Sequence, residues 1–241
     1  MFALGGASWK ITGSNDTWLR YFETKHIYTI PFQASNAAFG IVWDKQLLPL
    51  IEGKALKNAM FSINAFLKKG EAVLTTFGIE GSGVYPLSGD IRKALQTTGE
   101  AIVTIDFKPD LTIEKIKEQL ENHAHLSMKD ILEKKLHLTD VHIALIKQRT
   151  SKSEYQSASY ISQLIKAFPI TITSLAPINE AISTVGGIDL KEVTVKLEFK
   201  KLPHHYCLGE MLDWDAPTGG YLLQACMSMG NNLANYLNII T

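Results

Sequence analysis

The sequence predicts a mixed α/β fold, in which one α/β domain is present in two pieces and an insertion of strands and helices separates them. Glycine-rich turns follow short apolar strands near both ends of the chain. Apolar runs typical of strands dominate the region from about 38 to 107, and helical spacing of apolar residues dominates the region from about 110 to 168. We expect a first domain piece at 1–30, the insertion at 31–181, and a second domain piece at 182–241.

The first piece begins with a short apolar strand. Phe2 to Leu4 lead into Gly5-Gly6, and a short helix is expected over Thr17–Lys25. Pro31 follows this helix and indicates a boundary, because proline interrupts regular backbone hydrogen bonding.

The insertion begins with strands and continues with helices. The runs 39–43, 72–77 and 101–107 predict strands, and Gly78-Ile79-Glu80-Gly81-Ser82-Gly83 precedes a helical stretch that ends near Leu95. Four helices are expected between 110 and 168, where Ser127 to Asp130 reads as a capping box and Thr139-Asp140 as a helix start. The residues 169–173 return to strand.

The second piece contains the most informative segment of the chain. A buried strand over Tyr206–Leu208 ends at Gly209-Glu210, and a Pro-Thr-Gly-Gly turn then starts an apolar helix of about 16 residues. A helix that starts at two glycines presents free backbone N–H groups and the positive end of its dipole. Such an end suits a phosphate or an electron-rich ring edge, and the acid can accept hydrogen bonds from a sugar or polyol hydroxyl.

Composition narrows the class of protein. Lys plus Arg and Asp plus Glu number 24 each, so no overall charge attracts nucleic acid or an anionic membrane, and we expect neither partner. No run of about 18 apolar residues indicates a membrane span. Cys207 and Cys226 lie in apolar runs, which is typical of buried thiols in a reducing compartment, so we expect a cytoplasmic protein.

Four ordered motifs carry a resemblance to a known family. They lie at 3–14 (Ala-Leu-Gly-Gly-Ala-Ser-Trp, then Thr-Gly-Ser), at 76–81, at 182–188 and at 208–224. The last of them, with Gly-Glu-Met-Leu-Asp-Trp before Thr-Gly-Gly-Tyr, resembles most closely the C-terminal segment of the BaiN / aminoacetone-oxidase-like FAD-binding flavoproteins. The resemblance implies an incomplete Rossmann-like FAD-binding domain in two pieces, interrupted by an inserted β-strand domain with a small helical subdomain.

The resemblance also implies a function and a cofactor site. It implies an FAD-dependent oxidoreductase that transfers a hydride through the isoalloxazine ring. The implied partners are a small-molecule substrate and, as a candidate, NAD(P)H, and oligomer formation is left open. Glu210 and Asp213 are expected to face the ribityl and pyrophosphate region, and the amides of Gly219–Leu222 the pyrimidine edge of the flavin. The implied cofactor-binding residues are Gly5, Gly6, Gly209, Glu210, Asp213, Gly219, Gly220, Tyr221 and Leu222.

The chain departs from the family pattern at one point. Members begin with a strand, a Gly-x-Gly-x-x-Gly turn and a helix that bind the FAD pyrophosphate, and this fingerprint is absent from the sequence. The chain therefore resembles the back portion of such a protein, and we expect FAD occupancy to be weak or absent. The alternative is a truncated, cofactor-free remnant that acts only as a binding or assembly module.

For the loop at 78–83 we favour a structural role, and for the turn at 184–187 a structural role stays open beside a weaker expectation of a cofactor contact. Gly78, Gly81 and Gly83 have the wrong spacing for a phosphate-binding turn, and the glycines of Thr184-Val185-Gly186-Gly187 can simply permit a bulge. The histidines show no metal-ligand spacing, so we expect no metal site. No residue can be assigned as a catalytic acid, base or nucleophile.

Overall fold

A computed structural model gives the fold, and it describes residues 1–13 and 15–240 without the side chain of Ile240. Ser14, the last residue of the first motif, lies outside the described residues. The α-helices are α1 Leu19–Glu23, α2 Leu48–Ile51, α3 Ser88–Thr98, α4 Ile113–Asn122, α5 Met128–Lys134, α6 Asp140–Gln148, α7 Lys152–Tyr155, α8 Ala158–Lys166 and α9 Tyr221–Ile240. The strands are β1 Thr29–Ser35, β2 Phe39–Gly40, β3 Ala55–Ile63, β4 Phe66–Leu74, β5 Gly78–Glu80, β6 Ala101–Asp106, β7 Phe168–Ile172, β8 Ser174–Leu175 and β9 Ser183–Ile188.

The chain divides into two compact units. Unit 1 contains Met1–Ala37 and Leu175–Thr241, and unit 2 contains Ala38–Ser174. The first piece of unit 1 thus extends beyond residue 30, where the sequence suggests a boundary. Pro31 lies inside β1 because that strand has a β-bulge between Ile30 and Gln33, and a bulge tolerates the missing N–H of proline.

Unit 1 is held by one antiparallel strand pair and by an aromatic core. β1 pairs with β9, and Phe2 forms a parallel bridge with Cys207. The ring of Phe2 packs edge-on against Phe22, with 5.2 Å between ring centroids, and Phe22 stacks on Phe199, also at 5.2 Å. Phe2 and Cys207 therefore lie in one unit, as the two-piece prediction requires, although 206–208 contributes single bridges and not a regular strand.

Unit 2 combines a sheet with the predicted helices. The sheet order is β7-β6-β3-β4-β5-β2-β8, the division between the units falls within β8, and every pair whose register is described is antiparallel. Burial follows the helical spacing of apolar residues, since Ile116 and Leu120 of α4 and Ile161 and Ile165 of α8 are buried. Five helices, α4 to α8, lie in the region where four were expected. The mixed α/β class with an inserted strand-and-helix region is confirmed.

Helix starts in unit 2 follow the predicted capping chemistry. Ser127 accepts a hydrogen bond from the amide of Asp130, and Thr139 forms a capping box with His142 in place of the usual acid or amide. Among the residues that the structure describes, no helix is both long and apolar enough to cross a membrane.

Candidate cofactor site

Three separate motifs of unit 1 meet at the carboxylate of Glu210. Its Oε1 accepts hydrogen bonds from the amide of Thr184 at 2.9 Å and from Oγ1 of Thr184 at 3.3 Å. Oγ1 of Thr184 in turn accepts from the amide of Ala7 at 3.3 Å. A Cβ on Gly6 would lie 2.2 Å from that Oγ1 and 2.8 Å from Cδ of Glu210, so only glycine fits there. We call Gly6, Thr184 and Glu210 the carboxylate cluster.

Glycines of β9 allow the strand to pass close to its neighbours. Gly186 and Gly187 have φ values of 112° and 105°, which favour glycine. A Cβ on Gly187 would lie 2.2 Å from the carbonyl oxygen of Met211, and one on Gly186 would lie 2.6 Å from that of Pro31. Gly186 is the single residue opposite the two bulged residues of β1, so the predicted bulge is confirmed. These two glycines are packing residues of the strand.

The turn that carries Glu210 is a short 3-10 helix, Gly209–Met211. Gly209 has a φ of 83°, and its carbonyl accepts a hydrogen bond from Nε1 of Trp214 at 2.9 Å. The amide of Asp213 donates to the carbonyl of Ile188 at 2.8 Å. The Trp214 indole therefore holds this turn in shape.

The terminal helix begins with an open backbone. Gly219 and Gly220 have φ values of 112° and 87°, and a Cβ on Gly220 would meet no atom within 4 Å. The first intrahelical hydrogen bond runs from the amide of Gln224 to the carbonyl of Gly220 at 2.9 Å. The amides of the three residues between them precede that bond, and Tyr221 and Leu223 are largely exposed while Leu222 is half-buried. Helix α9 has 20 residues, four more than expected.

Helix α9 contacts the Glu210 turn further along its length. Sδ of Met229 accepts a hydrogen bond from the amide of Gly209 at 3.4 Å. Cys226 also faces this turn, and burial together with the nearby Glu210 carboxylate raises the pKa of its thiol. Burial raises the pKa of Cys207 to about 12. Both thiols are thus held protonated, which agrees with their structural reading.

Other sequence candidates have packing roles. Cβ atoms on Gly78, Gly81 and Gly83 would lie within 3 Å of neighbouring backbone or of the Phe61 ring, which supports the structural reading of this loop. No group of three or more His, Cys, Asp or Glu side chains that could hold a metal occurs in the described part of the chain. Gly5 has a φ of 75° and open space beside it.

Sequence reasoning missed the residues that fix the segment before the terminal helix. Oγ of Ser35 donates to Oδ1 of Asp215 at 2.5 Å. Nδ2 of Asn36 donates to Oγ of Ser183 at 2.7 Å and to the carbonyl of Ala216 at 2.6 Å. Asn36 has a φ of 50°, and an asparagine directly after a strand is the local signal that could have indicated this role.

The sequence of the chain is similar to that of known proteins. The family model described as HI0933-like protein barrel and H2TH domain matches residues 33–183. The chain is 28% identical to a 3-dehydro-bile acid delta(4,6)-reductase of Clostridium scindens over 173 residues, which cover 67% of this chain and 42% of that protein. It is 23% identical to a ribosomal RNA dihydrouridine synthase of Escherichia coli K12 over 238 residues, which cover 93% of this chain and 56% of that protein.

The chain spans about half the length of these relatives. The family model covers more than half of the chain, and it includes all of unit 2. The resemblance to the BaiN / aminoacetone-oxidase-like flavoproteins is confirmed, and the chain belongs to the HI0933-like family of flavoprotein oxidoreductases.

Proposed function

We propose that this chain supplies part of an FAD site in an enzyme that reduces a carbon–carbon double bond conjugated with a carbonyl group. Membership of a flavoprotein oxidoreductase family supports the cofactor. The activities of the two relatives support the reaction class. A delta(4,6)-reductase of a 3-dehydro-bile acid acts on double bonds next to a ketone, and dihydrouridine is uridine with the double bond of its base saturated.

The observation that carries the cofactor proposal is the open helix start at Gly219–Leu222. The space beside Gly220 is open, since a Cβ built there would meet no atom within 4 Å, and the amides of Tyr221 and Leu222 precede the first helical hydrogen bond. Preorganised donors at a helix N-terminus favour negative charge, which develops on the pyrimidine edge of a reduced flavin. These residues fit that edge by their donor chemistry and by the room they leave.

The carboxylate cluster offers one free oxygen to a hydroxyl group of the cofactor. Oε1 of Glu210 is engaged with Thr184, while Oε2 accepts no hydrogen bond from any residue within the described ranges. One oxygen therefore holds the turn in place and the other can accept from a ribityl or ribose hydroxyl. Asp213, next to the same turn, Gly209, at which the turn begins, and Gly5, with open space beside it, complete the proposed set. NAD(P)H is the proposed electron donor.

FAD, when bound, supplies hydride transfer to the activated carbon of the double bond. The residues of this chain bind and orient the cofactor, and the helix start stabilises the negative charge that its reduced ring carries.

The test is a fluorescence titration of the purified chain with FAD. We expect weak, reversible quenching for the native chain and loss of it for Gly220→Val, because the branched side chain would occupy the approach to the amides. Gly99→Val is the matched control, since Gly99 has a φ of 82° and open space beside it but lies in unit 2. Equal binding by native chain and Gly220→Val would exclude the helix start as a flavin contact. Under anaerobic conditions, reoxidation of bound reduced flavin by 2-cyclohexenone or uridine would test the reaction class.

A cofactor-free assembly role is the second candidate, and the exposure of α9 favours it. Leu223 and Met227 lie one turn apart and are 61% and 60% exposed, and Ile239 near the other end is 82% exposed. Exposed apolar side chains on one helix favour association. Sedimentation of the native chain and of Leu223→Lys/Met227→Lys distinguishes the candidates. If the chain is an assembly module, the native chain should be oligomeric and the double variant monomeric. If the chain binds the cofactor, the double variant should still quench FAD fluorescence.

A further inference from the structure

Unit 2 contains a cavity that none of the assigned motifs uses. It has a volume of about 940 Å³ and is lined by residues from three segments, 54–58, 107–111 and 137–142. These segments are the start of β3, the turn after β6, and the link from α5 into α6. The volume lies at the upper end of the range for small-molecule sites, so the cavity is larger than one inorganic anion needs.

Three lysines and two aspartates, Asp110 and Asp140, line this cavity, so its charged lining is cationic by one. Lys54, Lys57 and Lys108 all line it, and the first two form no ion pair with any residue in the described parts of the chain. Lys108 is half-buried, and this burial lowers the pKa of its ammonium group. The carboxylate of Asp110 is paired with Lys69 at 2.7 Å, so its negative charge is already balanced.

The backbone is bent where these cations lie. On β3, Lys57 and Asn58 together oppose one residue of β4, which is a β-bulge. Asn58 has a φ of 51°, and His137, which also lines the cavity, has a φ of 50°. Left-handed backbone at residues other than glycine is uncommon, and bulges redirect side chains next to binding sites. The bulge changes the direction of the Lys57 side chain relative to a regular strand.

A buried histidine at the cavity wall has an unpaired ring nitrogen. His142 is 6% exposed, and its Nδ1 accepts a hydrogen bond from the amide of Thr139 at 3.2 Å. Nδ1 also lies 2.7 Å from Oγ1 of Thr139, while Nε2 is buried and has no hydrogen-bond partner among the described residues. Most buried polar groups in folded proteins are paired, so this unpaired nitrogen in the cavity wall is available to a ligand.

We propose that this cavity binds a nucleotide through its phosphate. The lysines provide the charge for the phosphate. Five apolar residues also line the cavity, and a flat ring can contact the two that are partly exposed, Pro109 and Leu111; the other three, Phe107, Leu138 and Val141, are buried. Asp140, at the first turn of α6, can accept hydrogen bonds from ribose hydroxyls. Two sources carry this chemistry, a free nucleotide and a nucleotide unit within an RNA strand.

The zero net charge of the chain does not oppose this site. A zero net charge means that the whole molecule has no long-range electrostatic attraction for phosphate. Phosphate binding depends instead on the charges within one Debye length of the site, which is about 8 Å at physiological salt. The proposal does not rest on the flavin proposal, since every residue it uses lies in unit 2.

The test is calorimetric titration of the whole chain with uridine 5′-monophosphate and, separately, with a ten-residue oligouridylate. The variant Lys54→Gln/Lys57→Gln should bind the mononucleotide at least tenfold more weakly, because two charge-assisted contacts are removed. Lys68→Gln is the matched control, since Lys68 is an exposed lysine on β4 that does not line the cavity, and it should bind within twofold of the native chain. Unchanged thermal unfolding of the double variant shows that it is folded.

The two probes distinguish the sources. Binding of the oligouridylate at least a hundredfold tighter than that of the mononucleotide identifies an RNA strand. In that case the slope of the logarithm of its binding constant against the logarithm of salt concentration should be smaller by about 1.4 in the double variant. Comparable binding of the two probes identifies a free nucleotide. Failure of both probes to bind the native chain, or an equal loss in the double variant and in Lys68→Gln, would overturn the proposal.

Discussion

Replacement of Glu210 by alanine should destabilise unit 1 whether or not a cofactor binds. The carboxylate accepts from the amide of Thr184 at 2.9 Å, and Thr184 is only 2% exposed. Without the carboxylate, that amide stays buried with no acceptor, which costs about 1–3 kcal/mol. The second hydrogen bond, from Oγ1 at 3.3 Å, is long and adds little. A loss of about 2 kcal/mol lowers the ratio of folded to unfolded unit by roughly thirtyfold.

Glu210→Gln tests the origin of this loss. The glutamine amide oxygen can still accept from the Thr184 amide, so only the charge assistance disappears, and we expect a loss below about 1 kcal/mol. Glu180→Ala is the control, because Glu180 is an exposed glutamate of unit 1 for which no side-chain hydrogen bond is described.

The measurement is urea unfolding followed by tryptophan fluorescence, with Trp18 and Trp214 as reporters in unit 1 and Trp43 in unit 2. Only the transition of unit 1 should move. The reasoning is refuted if Glu210→Ala leaves that transition within about 0.5 kcal/mol of the native value, or if Glu210→Gln costs as much as Glu210→Ala. Any FAD titration of these variants must be made at a temperature where unit 1 remains folded.

Three further outcomes follow from the structure. Gly6→Ala should destabilise unit 1 by about 1–3 kcal/mol in urea unfolding, and adding Thr184→Ala should recover part of the loss, since the nearest clash is with the threonine hydroxyl. Burial, with a smaller effect of nearby Lys108, lowers the pKa of His142 to about 4, so the unfolded chain takes up this proton first. The free energy of unfolding should therefore fall by about 3 kcal/mol from pH 6.5 to pH 4 and stay level below pH 4. The variant His142→Gln keeps a side chain that can cap α6, and it should abolish this fall. Cys226 should react with a thiol reagent at pH 8 before the fully buried Cys207. Mass spectrometry of the chain modified in native buffer gives the order of reaction, and modification of Cys207 first would contradict this expectation.

Local patterns predicted the elements of the fold well. The buried faces of α4 and α8 follow from apolar residues at helical spacing, and the helix starts at Ser127 and Thr139 follow from capping chemistry. These signals act within a few residues, so they can be read without knowledge of the tertiary structure.

Contacts between distant residues could not be predicted in the same way. The hydrogen bonds of Glu210 to Thr184 join two segments 26 residues apart, and the sequence gives no register for them. Pro31 reads as a boundary because its local chemistry breaks strands, but the β1 bulge accommodates it. The short bridges at 206–208 reflect the lack of a continuous neighbouring strand on which a longer pairing could form. The residues proposed to contact the flavin stay predictions.

The pairing of β1 with β9 has a consequence for how the protein folds. The two ends of the insertion leave unit 1 side by side, since the amide of Ile182 donates to the carbonyl of Asn36 at 3.3 Å. Closing a flexible loop of about 140 residues costs about 4 kcal/mol of chain entropy. A folded insertion replaces that loop with a compact body, so much of this entropy is lost before β1 meets β9. Unit 1 should consequently gain its structure late, after the ribosome has released residues 183–188 and after the contiguous unit has already formed.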